Sequence, residues 1–249
     1  MKKMLIFGLG HLANFVCEEN SNLKITGTIR NLEKKRDHNC EKVFFDLDSK
    51  EGLESISNDF DYVLINFPPS SLSIEFIKNL SDHFKPETSF IFISSTSVYG
   101  RGTSDESSIR TGIARNAKAL IELEDHFRSL KRRQVTIIRP AGLIDEVRSP
   151  AKTLARRTEV KDSQMPVNLV HTRDVARFIL FVIENDLWSE EYNLVSTIHS
   201  SKKDFYTSEI NRLGLLCPTW LVGKTPDKLV LSSKVSLTGF KFSYPNLLS

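Results

Sequence analysis

One segment near the start constrains this chain more than any other. An apolar run, Met4–Phe7, passes directly into Gly8-Leu9-Gly10-His11-Leu12-Ala13. Four consecutive apolar residues followed by glycines and a helix-compatible stretch read as a buried strand, a tight turn and a helix start. Each position has a physical reason. Gly8 permits the sharp turn, and Gly10 lets the backbone approach a pyrophosphate. His11 and Leu12 open the helix, whose N-terminus favours negative charge, and Ala13 allows close helix–strand packing. The spacing predicts a dinucleotide-binding strand–turn–helix, with a ligand-free glycine turn as the alternative. The same segment mimics a leader peptide, because Met1-Lys2-Lys3 precedes the apolar run. Gly8, Gly10, His11 and Asn14 interrupt that run and no small-x-small cleavage site follows, so a buried strand is expected instead.

The rhythm continues. Leu23–Ile29, Val43–Phe45, Tyr62–Asn66, Phe90–Ser94 and Val135–Arg139 read as further strands. Between them, Leu72, Phe76, Ile77, Leu80 and Phe84 recur at helical spacing, as do Ala117, Leu120, Ile121, Phe127 and Leu130. Alternating strands and helices predict an α/β fold, a Rossmann-like doubly wound parallel sheet with helices on both faces. Beyond about residue 140 the pattern changes. A nearly all-apolar helix is expected around Val175–Ile183 with Thr172 and Asp174 near its start. Another is expected over Lys203–Leu213, ended at Gly214, and Pro218, Pro226 and Pro245 mark loops. The expected division is residues 1–142 for the nucleotide-binding domain. Residues 143–249 form a small C-terminal substrate-binding portion, packed on the first and not independent.

The end of the second strand bears on which dinucleotide is bound. An NAD site uses a carboxylate there to hold the ribose hydroxyls. This chain has Gly27-Thr28-Ile29-Arg30-Asn31, with Lys34 and Lys35 behind. Arg30 suits a 2′-phosphate by charge and by its fork of donors, which favours NADP over NAD. A surface arginine after a strand is the plain alternative. Asp46 and Leu47 follow the third strand, with Asp48 next. Asn66-Phe67-Pro68-Pro69 ends the fourth.

The fifth strand ends in Ser94-Ser95-Thr96-Ser97-Val98-Tyr99-Gly100. This resembles the Ser-Ser-x-x-Val-Tyr-Gly segment of the extended short-chain dehydrogenase/reductases, the group of nucleotide-sugar epimerases and dehydratases. Further segments resemble the same group: Arg139-Pro140-Ala141-Gly142-Leu143-Ile144, the stretch Val170-His171-Thr172-Arg173-Asp174-Val175-Ala176, and Tyr192-Asn193-Leu194. The resemblance implies that Ser94, Pro140, Phe67 and Pro68 line the cofactor, that Asp46 and Leu47 lie beside the adenine, with an acid capping the next helix as the alternative, and that Ser95 polarises a substrate carbonyl or alcohol, with a strand end whose hydroxyls satisfy backbone groups as the alternative. It also implies a homodimer built on two helices.

One piece of the group's machinery is missing. Between Tyr99 and Tyr192 there is no tyrosine, so the Tyr-x-x-x-Lys pair is absent. Lys118 has Ala114 four places before it, and placing Glu124 at the group's helix glutamate puts Asn116 and Leu120 in the two roles. Lys118 is left either touching the cofactor's ribose or phosphate or standing as a solvated helix lysine. Thr96 and Ser97 replace the carboxylates of the sugar dehydratases, which argues against a 4,6-dehydratase. Tyr99, His171 and the pair Asp105/Glu106 are the candidates for the proton, with a structural His171 as the alternative. The resemblance is best to the atypical branch that lacks the Tyr/Lys pair.

Composition removes other classes. A net charge of +3 on 249 residues gives no case for nucleic acid. Three widely spaced cysteines, Cys17, Cys40 and Cys217, fit a reduced, cytoplasmic chain with no zinc site or disulfide frame. No segment is long and apolar enough for a membrane span. Two functions stand open: a noncanonical NADP-dependent oxidoreductase or epimerase-like enzyme on a nucleotide sugar or small carbonyl compound, and a catalytically inactive NADP(H)-binding sensor.

Overall fold

In the computed structural model of the chain, residues 1–31, 40–47, 49, 51–68, 74–224 and 227–247 are described. Lys34, Lys35, Asp48, Pro69, Leu72 and Pro226, named above, lie outside the described residues.

The first half builds the sheet. Strand β1 (Lys3–Phe7) leads into α1 (His11–Glu19), then β2 (Lys24–Ile29), β3 (Glu41–Phe44), β4 (Tyr62–Ile65), α2 (Ile74–His83), β5 (Ser89–Ile93), a short β6 (Gly102–Ser104), α3 (Ala117–Ser129) and β7 (Val135–Pro140). The second half carries β8 (Gly142–Ile144), α4 (Pro150–Leu154), β9 (Glu159–Val160), β10 (Leu169–His171), α5 (Thr172–Glu184), β11 (Glu191–Leu194), α6 (Lys202–Arg212), β12 (Thr219–Trp220), β13 (Lys228–Val230) and α7 (Ser233–Leu237).

Seven strands form one sheet in the order β11-β7-β5-β4-β1-β2-β3, and every neighbouring pair is parallel. The central strands β1 and β4 are apolar on both faces because helices cover both, so Met4 to Phe7 and Val63 to Ile65 are fully buried. The chain winds outward from β1 in both directions, so strand order reverses between β1 and β4. In a sheet of this kind the ligand crevice lies at that reversal, beyond the carboxyl ends of the strands. Gly8 and Asn66, the residues just past β1 and β4, stand there.

The division at residue 142 does not separate two bodies. Strand β11 returns to pair with β7 at the sheet's edge, and the fully apolar stripe of α5 joins the main core. What lies outside is a small second cluster of Ile144, Ala151, Val167, Leu169, Tyr206, Ile210 and Leu247. Of three two-stranded pairs, β8–β10 and β9–β12 lie within the second half, and β6–β13 joins it to the first. Cys17, Cys40 and Cys217 are free thiols. Among the described residues, no helix is long and apolar enough to cross a membrane.

Candidate functional site

The glycine turn is pinned from three sides. Gly8 has φ +89°, and a Cβ on it would stand 2.9 Å from the Asn66 carbonyl oxygen, so only glycine is accommodated. Its N–H donates to Thr28 Oγ1 at 3.0 Å, Leu9 N–H to the Thr28 carbonyl at 3.1 Å, and Asn66 Nδ2 to the Gly8 carbonyl at 3.3 Å. Gly10 differs, since a Cβ there would meet nothing closer than the Gly8 oxygen at 3.9 Å. Its face is open, with room beside it for a ligand to approach the backbone.

Helix α1 begins right after it, with no acidic residue in its first turn and no side-chain cap. Among the described residues, no acceptor meets the backbone N–H groups of His11, Leu12 or Ala13. The first N–H groups of a helix have no partner within the helix and need one outside it. Aligned with the positive end of the helix, these donors form a cradle for an anion such as a pyrophosphate. The residues present therefore fit a dinucleotide.

The other expected cofactor residues surround this turn unevenly. Arg30 and Asn31 are exposed just beyond β2. Asp46 and Leu47 are half-buried after β3, and Asp46 accepts from Ser49 Oγ at 3.1 Å. Phe67 packs its ring on Phe7 and Phe45, with centroids 5.8 and 5.9 Å apart, and a Cβ on Gly8 would stand 3.1 Å from its ring. Its side chain thus supports the turn from within. Pro68 is exposed, Pro140 is buried at the end of β7, and Lys118 is exposed on α3.

The segment after β5 is held by a buried ion network. Glu124 of α3 is fully buried. Its carboxylate accepts from Ser94 Oγ at 2.5 Å, from Arg139 Nε and Nη2 at 2.9 and 2.8 Å, and from Arg110 at 3.1 Å. Arg139, also fully buried, reaches Glu191 as well and donates to the Tyr99 hydroxyl at 2.8 Å. Tyr99 in turn donates to Asn193 Oδ1 at 3.0 Å. Burial pushes the Tyr99 phenol up, although the Arg139 charge pulls the other way.

Tyr99, expected as a proton donor, is placed in the core. Its hydroxyl is enclosed at 1% exposure and both its hydrogen-bonding functions are used. Ser94 is likewise turned inward onto Glu124, so its side chain anchors the strand end.

Ser95 is half-buried, and its oxygen accepts from Ser97 N–H at 3.1 Å. Among the described residues, no acceptor takes its own proton. Beneath the same turn, Lys228 of β13 donates to the carbonyls of Thr96 and Tyr99 at 3.0 and 2.9 Å. Burial lowers the pKa of this lysine, and Arg101 adds to the effect.

His171 lies apart from Ser95 in role as well as sequence. Its Nδ1 accepts from Arg173 N–H at 3.2 Å and so caps α5. Its ring stacks on Tyr244 with centroids 3.7 Å apart. Nε2 has no hydrogen bond and stands 3.7 Å from Glu146. Burial lowers its pKa, against the opposing pull of Glu146. The tail that covers it is held by Asp174, which accepts from Ser243 and Tyr244 N–H at 2.7 and 3.0 Å. His171, expected as a candidate for the proton with a structural role as the alternative, caps α5, and its second ring nitrogen is buried.

Two features escaped sequence reasoning. Lys228 reaches the Ser95 turn only because β13 pairs with β6. Asp145, fully buried, stands 2.7 Å from His11 Nε2 and accepts from Thr172 Oγ1. Burial opposes its charge, yet the bonds from Thr172 and His11 hold its carboxyl below the usual carboxylate range.

A doubly wound parallel sheet with an anion cradle at its reversal point defines a nucleotide-binding protein of Rossmann-like α/β fold. The chain belongs to the NAD(P)H-binding family, whose model matches residues 10–186, and a nicotinamide cofactor follows from that membership. It is 33% identical over 163 residues to Protein YeeZ of Escherichia coli strain K12, which covers 64% of this chain and 59% of the relative. The aligned part thus spans little more than half the length of that relative.

Among solved structures, a conserved protein of unknown function from Silicibacter pomeroyi aligns over 99% of this chain and 95% of its own with a TM-score of 0.82 at 18% identity. UDP-glucuronic acid 4-epimerase from Bacillus cereus, in complex with NAD, aligns over 98% and 95% with a TM-score of 0.79 at 14% identity. The UDP-Glc/GlcNAc 4-epimerase of Campylobacter jejuni aligns over 98% and 95% with a TM-score of 0.78 at 15% identity. At these identities the likeness is one of fold.

Proposed function

We propose that the protein binds NADP(H) and acts as a noncanonical oxidoreductase or epimerase-like enzyme on a nucleotide sugar or other small carbonyl compound. The observation that carries this reading is the glycine turn: Gly10 presents an open face beside three backbone N–H groups that lack acceptors among the described residues. Arg30, exposed where β2 ends, favours NADP by charge. Ser95, whose proton meets no acceptor among the described residues, supplies the polarising donor for a carbonyl. The bound cofactor supplies hydride transfer. UDP-sugars, the class named for the Bacillus cereus and Campylobacter jejuni proteins, are the first substrates to test.

A second reading, an NADP(H) sensor without turnover, is favoured by one observation: Tyr99 and His171 are both enclosed, with exposures of 1% each. The deciding experiment follows nicotinamide absorbance with NADPH and a panel of UDP-4-keto-sugars, aldehydes and quinones. Substrate-dependent oxidation that Ser95→Ala abolishes supports the enzyme. Tight NADPH binding with no oxidation by any member of the panel supports the sensor.

A further inference from the structure

The glycine pattern uses only backbone groups to hold a nucleotide. This chain adds a side chain to the same place. His11 is the first residue of α1, one position beyond the open face of Gly10. Its Nε2 lies 2.7 Å from Asp145 Oδ2, across 134 residues of sequence. Asp145 cannot swing away, because Oδ1 also accepts from Val147 and Arg148 N–H at 3.1 and 2.8 Å and Oδ2 from Thr172. A carboxylate only accepts, so the proton in the shared bond belongs to His11 Nε2. That settles which nitrogen faces Asp145 and leaves Nδ1 as the free one. Among the described residues Nδ1 has no partner, and the side chain is 27% exposed. Phe15 stands edge-on to the ring at 5.3 Å and limits its rotation.

We infer that His11, held by Asp145, is a nucleotide-binding side chain whose Nδ1 donates to the dinucleotide's diphosphate beside the backbone donors of α1. The inference rests on the nucleotide-binding reading above and assigns it a residue role that the glycine pattern does not contain. It also carries a chemical consequence. Nδ1 can donate to a phosphate oxygen only when both ring nitrogens are protonated. The bound nucleotide therefore requires the doubly protonated ring, and affinity rises as pH falls.

The charged groups on the surrounding elements are otherwise engaged. Glu146 faces His171. Arg173 pairs with Glu18 and Glu19, and Asp174 with Arg177 and the tail. Arg30 stands at the end of β2. Asp145 is the ionisable group in direct contact with the ring.

The test titrates the full chain with NADH, since the 2′-phosphate of NADPH itself titrates near about pH 6. His11→Gln keeps an amide nitrogen that can reach Asp145 and leaves nothing at Nδ1. A charge-assisted bond of this kind changes affinity by about tenfold or more. Wild-type affinity for NADH should fall about tenfold from about pH 6 to about pH 8.5. H11Q should show little pH dependence, bind about tenfold more weakly at the lower pH, and melt at the wild-type temperature. Calorimetry in buffers of different ionisation heat should find proton uptake with the wild type and none with H11Q. Asp145→Asn should reproduce the loss, and if that variant does not fold, H11Q decides alone. Should only NADPH bind measurably, the ratio of wild-type to H11Q affinity at each pH carries the same reading, because the ligand's own titration cancels. Equal affinity and equal pH slope in wild type and H11Q would overturn the inference while leaving the nucleotide site intact. No binding of either dinucleotide to the wild type would overturn both.

Discussion

Substituting Glu124 by Gln perturbs the buried ion network at its centre. The carboxylate receives Arg139 through two nitrogens, Arg110 and Ser94. Glutamine keeps the shape, removes the charge, and turns an NH2 group toward one of the two guanidinium groups. Arg139 stays fully buried with Glu191 as its remaining carboxylate. Glu124 supports the Arg139 charge against the cost of burial, so its loss falls on a cation with no access to water.

Removing one partner of a buried pair costs about 3–5 kcal/mol, and the surviving Glu191 contact places this case near about 3. At about 2–4 °C per kcal/mol for a chain of this size, the melting temperature should drop by about 6–12 °C. The assay is thermal unfolding by circular dichroism, with a double variant as control. Glu124→Leu combined with Arg139→Met removes both charges and should be less destabilised than either single change. A drop of less than about 2 °C in E124Q would mean that Glu191 and Asp125 carry the arginines unaided, and the network argument would fail.

Three further outcomes are expected. Gly10→Val should fold at the wild-type temperature, since a Cβ there meets only the Gly8 oxygen at 3.9 Å, yet lose NADPH and NADH binding alike; unchanged affinity in calorimetry would refute the site. Arg30→Ala should weaken NADPH binding by about tenfold or more through the lost charge-assisted bonds, and leave NADH nearly unchanged; equal losses would remove Arg30 from the 2′-phosphate. His171, whose pKa burial lowers, refuses a proton that the unfolded chain takes up below about pH 6.5, so stability should decline as pH falls through that value. His171→Gln should flatten the decline in melts between about pH 7 and pH 5, and an unaltered slope would show that other groups set it.

Much of the fold was readable because the signals are local. Met4–Phe7, Phe90–Ile93 and Val135–Arg139 are apolar runs bounded by turns, and each is a strand of the parallel sheet. Gly8 and Gly10 act through their own backbone geometry, so their spacing was informative. The return of β11 to the sheet's edge was not readable, since four residues, Glu191–Leu194, carry no mark of which strand they join.

The surroundings of the catalytic candidates were hidden for the same reason. The residues around Tyr99 do not reveal that Arg139 and Asn193 consume its hydroxyl. His171 looked chemical because its neighbours match a cleft-lining block, and the tail residue Tyr244 that seals it lies at the far end of the chain. Asp145 and Lys228 act across long sequence separations, where single-sequence patterns hold no information.

Whether the turn from Gly8 to Ala13 holds a dinucleotide is decided by isothermal titration of the purified chain with NADPH and with NADH. NADPH should bind tightly and NADH more weakly, with binding to both lost in G10V. Absence of binding by either dinucleotide would contradict a dinucleotide site and reduce the glycine turn to a structural element.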